Sequence, residues 1–299
     1  MKDIPGYEMF RQVVPLDKGW SADKKYYVET EQQKLLLRIS DISCYAEKKA
    51  EFEAVCRVEK TGIPMTRPLD FGVCCGKKKV YSLLTWAEGR CAEEALPALS
   101  KQRQYDLGLE AGRYLRKIHS IPAPAGREAW ETRFNRKIDR KIEGYQTCGL
   151  RFDGDQKLLS YIEENRRFLN GRPQCFQHGD YHVGNMVLSE IGVLSIIDFN
   201  RFDYGDPWEE FNRISWCAEC SKYFASGRIN GYFGKTAPEE FFRLLALYIA
   251  SNTLSSIYWA IPFGQKEIDT MLCQAAKVME WFDGMKTTVP AWYLKERNL

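Results

Sequence analysis

The stretch 177–200, QHGDYHVGNMVLSEIGVLSIIDFN, decides how this chain is read. Two of its three histidines, His178 and His182, flank Asp180, and Gly184 and Asn185 follow. The runs NMVL and LSIIDF are short and apolar with SEIG between them, the pattern of a β-hairpin with polar groups at its ends. Such a hairpin places Asn185 just ahead of its first strand and Asp198 at the end of its second, with Asp180 in the loop leading in. Two chemistries fit this set. In one, His178, Asp180 and His182 hold the metal of a hydrolase, and Asp198 bridges to a second ion. In the other, one carboxylate orients an attacking hydroxyl and takes its proton. An asparagine and a second carboxylate then offer oxygen ligands to magnesium on nucleotide phosphates. In that case the histidines support the loop through hydrogen bonds. The third histidine, His119, ends an amphipathic helix, which leaves few imidazoles for a paired metal centre.

The bulk properties narrow the field. With 299 residues, 44% hydrophobic and 28% charged, the chain has the composition of a folded domain or two lobes. A net charge of +3 calls for neither a nucleic-acid nor a membrane partner. No uninterrupted apolar run approaches the roughly 20 residues of a membrane span. The opening MKDIPGYEMF lacks the layout of a secretory signal, so a cytoplasmic, monomeric protein is expected. Of ten cysteines, only Cys217 and Cys220 form a C-x-x-C, with no second pair to complete a zinc site, so reduced thiols are expected.

Working outward from the hairpin, the N-terminal part is rich in strand signals. Tyr26 to Glu29 and Leu35 to Ile39 read as strands joined by a polar turn. A helical run, YAEKKAEFEAVCRVEKTG, follows and stops at Gly62-Ile63-Pro64. RPLDFGVCC and KVYSLLTW then form an antiparallel pair around Gly76-Lys77-Lys78. After WAEGR the texture turns helical, with Leu107, Ala111, Tyr114, Leu115 and Ile118 on one face. Glu131 to Tyr145, and the chain beyond Glu239, also read as helix. The expectation is an α+β, two-lobed fold: a small β-rich lobe over residues 1–86 and a larger, mostly helical lobe over 87–299.

The order H-G-D-x-H-x-x-N followed by I-D-F resembles the aminoglycoside phosphotransferase/choline kinase family, which has a protein-kinase-like fold. Asp180 and Asn185 are 185 − 180 = 5 residues apart, as in the kinase catalytic-loop pattern D-x-x-x-x-N. The resemblance implies that Asp180 is the catalytic base and that Asn185 and Asp198 hold magnesium, with His178 and His182 in support. It implies ATP or GTP as donor. Arg38 stands at the position of the family's phosphate-binding lysine, and Glu53 on the following helix is its expected partner, with Glu51 facing elsewhere. Gly19 and Ser21 fall where the family has its phosphate-covering turn. The backbone of Thr85, Trp86 and Ala87 would read the purine, and Gly89 allows a sharp exit. His119 would be a structural histidine that bonds the catalytic loop.

The acceptor has to lie near Asp180. Residues 198–219 hold six acids against two bases, with Trp208 and Trp216 nearby. Asp203, Asp206, Glu209, Glu210 and Trp208 are therefore the expected contacts to a cationic, hydroxyl-bearing small molecule. By resemblance this is an aminoglycoside or related antibiotic, whose phosphorylation gives resistance, or alternatively choline, another amino alcohol or a sugar. A basic stripe at helical spacing, Arg133, Arg136, Lys137, Arg140 and Lys141, runs against that expectation. If it lined the acceptor cleft, a phosphorylated or acidic acceptor would be favoured.

Overall fold

The computed structural model describes residues 1–16, 23–234 and 236–295. In chain order, β1 (Gln12–Leu16), β2 (Lys24–Glu29) and β3 (Lys34–Asp41) lead into α1 (Tyr45–Glu59), followed by β4 (Pro68–Cys74), β5 (Lys79–Thr85) and the short β6 (Arg90–Cys91). The helices α2 (Ala92–Ala95), α3 (Lys101–Ile118), α4 (Trp130–Thr147) and α5 (Asp155–Asn165) come next. Then come β7 (Cys175–Gln177), β8 (Met186–Leu188), β9 (Leu194–Ile196) and β10 (Asp203–Gly205). The chain continues with α6 (Ile214–Cys220), α7 (Lys222–Phe233), α8 (Glu239–Ala260) and α9 (Gln265–Trp281). The architecture is α+β, as expected.

Two compact units are present. The first comprises Met1–Glu94 and Gly184–Phe202, the second Ala95–Val183 and Asp203–Leu299. The break after Glu94 lies eight residues beyond the expected boundary at residue 86. The hairpin was expected in the C-terminal lobe, yet it belongs to the first unit. The reason is pairing: β8 bonds to β6, and Ile196 donates its N–H to Pro64 O at 2.9 Å.

In the first unit the strands form an antiparallel sheet in the order β1-β2-β3-β5-β4. The alternation of β3 divides its side chains cleanly. Leu35, Leu37 and Ile39 join Val28, Cys74, Tyr81 and Leu83 in a buried apolar cluster. Leu36 and Arg38 point to the opposite face. The tight β4–β5 turn runs through three consecutive left-handed residues, Cys75, Gly76 and Lys77. The Asp3 carboxylate accepts the N–H groups of Cys75 and Gly76, both at 2.9 Å, and so ties the N-terminus to this turn.

The second unit is built on two helix packings. In the first, α3 and α7 meet at backbone distance because each carries glycines four residues apart, Gly108 and Gly112 against Gly227 and Gly231. A Cβ on Gly112 would sit 2.2 Å from Arg228 O, and one on Gly231 2.2 Å from Leu109 O. In the second, α8 buries most of its length and packs against α4, α5 and α9. The segment Glu239–Phe263 is long and apolar enough to cross a membrane, but 67% of its apolar 18-residue window is buried inside the protein, as befits a core helix. The ten cysteines are free thiols.

Candidate functional site

Arg38 leaves the sheet face opposite the apolar cluster and enters a cavity lined by residues of the first unit. Leu36, Lys48, Glu51, Leu84 and Asp198 also line it. Arg38 places its Nη1 3.4 Å from Asp198 Oδ1 and its Nε 3.0 Å from Asp23 Oδ2. Its acidic neighbour on α1 is Glu51, at 4.0 Å, and not Glu53. Glu53 is exposed and faces Lys49 at 3.9 Å. The correction follows from helix geometry. Ala54, Val55 and Val58 are the buried face of α1, and Glu51 stands one turn before them on the same stripe. Glu53, two positions on, points away.

Two further residues escaped the sequence reading. Lys48 donates to Glu51 at 2.9 Å and lies 3.1 Å from Asp23. Asp23 also accepts from Ser40 Oγ at 2.6 Å. Two cations and three carboxylates thus share one partly buried network. Burial opposes the charge on Asp23, but Ser40, Arg38 and Lys48 outweigh it and hold its carboxyl below the usual range. Burial raises Glu51 despite Lys48 and Arg38. The signal for Lys48 was its i, i+3 spacing from Glu51; Asp23 gave no local signal.

Thr85, Trp86 and Ala87 all line the cavity. Thr85 and Trp86 spend their N–H groups on Arg67 O and Lys34 O, at 2.9 and 3.0 Å. Of the three, Ala87 is therefore the one whose amide meets no backbone acceptor among the described residues. Gly89, at φ 132°, passes so close to β8 that a Cβ would lie 2.1 Å from Leu188 O. Gly19 and Ser21 lie outside the described residues.

The β8–β9 hairpin forms with Met186 opposite Ile196. Ile197 N–H donates to Asn185 O at 3.1 Å, which brings Asn185 and Asp198 to the same end of the hairpin. Asp198 adopts φ 63°, a left-handed conformation that non-glycine residues rarely take. Backbone strain of this kind costs of order 1–3 kcal/mol and clusters at functional sites. The donors here, an amide oxygen and a partly exposed carboxylate, are hard oxygen ligands that fit magnesium.

Asp180 belongs to the second unit, since the chain passes from one unit to the other between Val183 and Gly184. Its loop is held from several sides. Gly179 turns through φ 82°, and its N–H donates to the Glu210 carboxylate at 3.0 Å. The Asp180 N–H donates to His178 Nδ1 at 3.2 Å, so the fully buried His178 directs that nitrogen at backbone. Tyr181 OH donates to Ala111 O at 2.7 Å, and Tyr181 O accepts from Arg228 Nη1 at 2.8 Å. Arg228, itself fully buried, lies over the rings of Tyr181 and Phe211. His119 reaches this loop through Glu210, whose carboxylate is 3.8 Å from its Nε2. The Asp180 carboxylate faces His182 Nε2 at 3.5 Å and Arg213 Nε at 2.7 Å. Among the described residues no three His, Cys, Asp or Glu side chains are placed to hold a metal ion.

The acids expected to contact the acceptor do other work. Asp206 is fully buried, receives Arg172 at 2.7 and 2.9 Å, and accepts Tyr248 OH at 2.6 Å. Trp208 stacks under the Arg172 guanidinium at 3.6 Å. Glu209 accepts from Gln177 at 3.1 Å and Lys137 at 3.5 Å. Burial resists its ionisation, but Lys137 and Lys141 hold its carboxyl low. Glu210 is committed to Gly179, and Asp203 is shared by Arg127 and Arg133 at 3.4 and 3.3 Å. The acidity of this segment is consumed by the unit's own cations, including three from the basic stripe and its flank.

The sequence profile of the phosphotransferase enzyme family matches residues 12–242. No curated protein sequence matches the chain. Among solved structures, it is similar to the gentamicin complex of APH(2'')-IIa at 17% identity, with 90% and 92% of the two chains covered and a TM-score of 0.61. It is also similar to a thermostable APH(4)-Ia mutant in ternary complex with AMP-PNP and hygromycin B, at 14% identity, 92% and 95% coverage and TM-score 0.66. A choline/ethanolamine kinase family protein from Mesorhizobium loti aligns at 17% identity, 95% and 94% coverage and TM-score 0.67. The fold is therefore kinase-like, and the match across residues 12–242 shows that this chain belongs to the phosphotransferase enzyme family.

Proposed function

We propose that this protein is a magnesium-dependent kinase that transfers the γ-phosphoryl group of ATP or GTP to a hydroxyl of a small molecule. The observation that carries this reading is the strained Asp198, set beside Asn185 at one hairpin end and 3.4 Å from Arg38, both lining one cavity. Magnesium, held by Asn185 and Asp198, would neutralise charge on the nucleotide phosphates. Arg38, steadied by Glu51, supplies a fork of donors for phosphate oxygens. Leu36 and Leu84 offer apolar surface to the base, and Ala87 an amide to its edge. Asp180 takes the proton of the acceptor hydroxyl as its oxygen bonds to the γ-phosphorus. The bond to the β-phosphate bridging oxygen breaks, and the nucleoside diphosphate leaves.

Likeness to proteins solved with gentamicin and hygromycin B supports an aminoglycoside acceptor, and likeness to a choline/ethanolamine kinase family protein supports an amino alcohol. The acids of residues 203–210, already paired within the second unit, lend neither any support of their own. Use of ATP or GTP as donor fits a cytoplasmic location.

Two measurements test the nucleotide site. ATP or GTP with magnesium is expected to raise the melting temperature, by the equivalent of about 2.7 kcal/mol at 100 times Kd. Asp198→Ala is expected to remove the magnesium-dependent part. No shift with either nucleotide in the wild type would overturn the reading. In the same assay, Glu51→Gln should weaken nucleotide binding about tenfold, roughly one charge-assisted contact. Glu53→Gln should leave it unchanged, and equal effects of the two would reverse the assignment of Glu51.

A further inference from the structure

The second unit sets Arg213 beside Asp180 and two lysines of α4, Lys137 and Lys141, near Glu209. Arg213 spends its Nε on Asp180 at 2.7 Å and makes no second ion pair among the described residues, which leaves the rest of its guanidinium fork for another anion. Lys141, half-buried on α4, is within electrostatic reach of Arg213, Lys137 and Glu209. Lys137 has Glu209 as partner at 3.5 Å. Lys141 has no ion pair or hydrogen bond among the described residues. Arg213 thus answers Asp180 and Lys137 answers Glu209, while Lys141 stands one helical turn beyond Lys137 on α4, within electrostatic reach of Arg213 and Glu209. The other acids of the segment, Asp203, Asp206 and Glu210, are already committed.

Burial and then Lys137 push the Lys141 ammonium down to about 7, with Arg213 adding to the effect and Glu209 opposing it. A polycation arriving here would add to that repulsion, whereas an anion would relieve it.

We infer that the acceptor is a small hydroxyl compound bearing a carboxylate or a phosphate, which Lys141 and Arg213 bind while its hydroxyl meets Asp180. The inference rests on the kinase reading above and names its substrate class.

The test uses the full chain with saturating magnesium nucleotide, so that the cations of the first unit are occupied. Inorganic phosphate is titrated against thermal stability in the wild type and in Lys141→Met. Phosphate is expected to bind the variant about tenfold more weakly, the loss of one charge-assisted contact. Equal binding to both would overturn the inference. In parallel, nucleoside diphosphate release is followed with D-glycerate, glycerol 3-phosphate, glycerol, choline and hygromycin B. Turnover is expected with D-glycerate or glycerol 3-phosphate, the pair that separates carboxylate from phosphate. Lys141→Met should raise KM for the anionic acceptor and leave that for glycerol unchanged. Best turnover with choline or hygromycin B would overturn the inference while leaving the kinase reading intact. Failure of the nucleotides themselves to stabilise the chain would instead remove the kinase reading.

Discussion

Asp180→Asn is expected to lower kcat by about 10³-fold, within the 10²–10⁴ range of a positioned general base, and to leave the nucleotide-dependent rise in melting temperature unchanged. The two effects separate because the residues lie in different units. Asp180 sits in the loop of the second unit, whereas Arg38, Glu51, Asn185 and Asp198 belong to the first. Asparagine keeps the shape of the side chain and can still accept from Arg213 through its amide oxygen. The loop has supports of its own, Glu210 on Gly179, His178 on the Asp180 amide and Arg228 on Tyr181 O, and none of them needs the Asp180 carboxylate. What asparagine lacks is a basic oxygen to take the hydroxyl proton. Single-turnover phosphoryl transfer with whichever acceptor the turnover panel identifies would measure this, and wild-type turnover in the variant would show that another group is the base.

Gly231→Ala is expected to destabilise the second unit by about 3 kcal/mol, the upper end of ordinary overpacking, or more. Helix propensity alone predicts the reverse, since alanine is favoured over glycine by roughly 1 kcal/mol inside a helix. Contact decides the sign. The added methyl would lie 2.2 Å from the Leu109 carbonyl oxygen and 2.6 Å from Leu109 Cα, all backbone of α3, so no side chain can swing aside. Relief requires α3 and α7 to move apart. α3 supplies the carbonyl that accepts Tyr181 OH, and α7 carries Arg228, so the catalytic loop would lose two supports together. The expected result is a fall in Tm of about 6–12 °C with reduced turnover. Arg113→Ala, on the exposed face of α3, serves as the unaffected control. An unchanged Tm for Gly231→Ala would mean that the helices are not packed backbone to backbone.

Much of the first unit was legible in the sequence because its signals are local. Alternating apolar residues marked β2 and β3, and the Gly76 turn marked the β4–β5 pair. The polar SEIG turn between two apolar runs gave the β8–β9 hairpin, and with it the neighbourhood of Asn185 and Asp198. The placement of Arg38 off the apolar face also follows from period-2 spacing along β3. In the second unit, α3 was readable from its apolar stripe, α4 from its polar, basic helical texture, and the helices beyond Glu239 from a helical texture rich in aromatics. The glycine pairs of α3 and α7 passed unnoticed because one glycine four residues from another acquires meaning only when a second helix carries the same spacing opposite.

The sequence by itself therefore determined the element types, the hairpin and the identity of the candidate oxygen donors, since each depends on residues a few positions apart. Only the tertiary structure decided which acid answers Arg38 and what becomes of the acids after Asp198. Glu51 rather than Glu53 was settled by which stripe of α1 turned to the sheet. Glu210 found Gly179 across 31 residues, Asp206 found Arg172 across 34, and Glu209 found Lys137 across 72. A carboxylate that reads as surface charge in the chain is buried or exposed according to the cation that the fold brings to it. That pairing depends on chain folding over distances at which local sequence carries no signal.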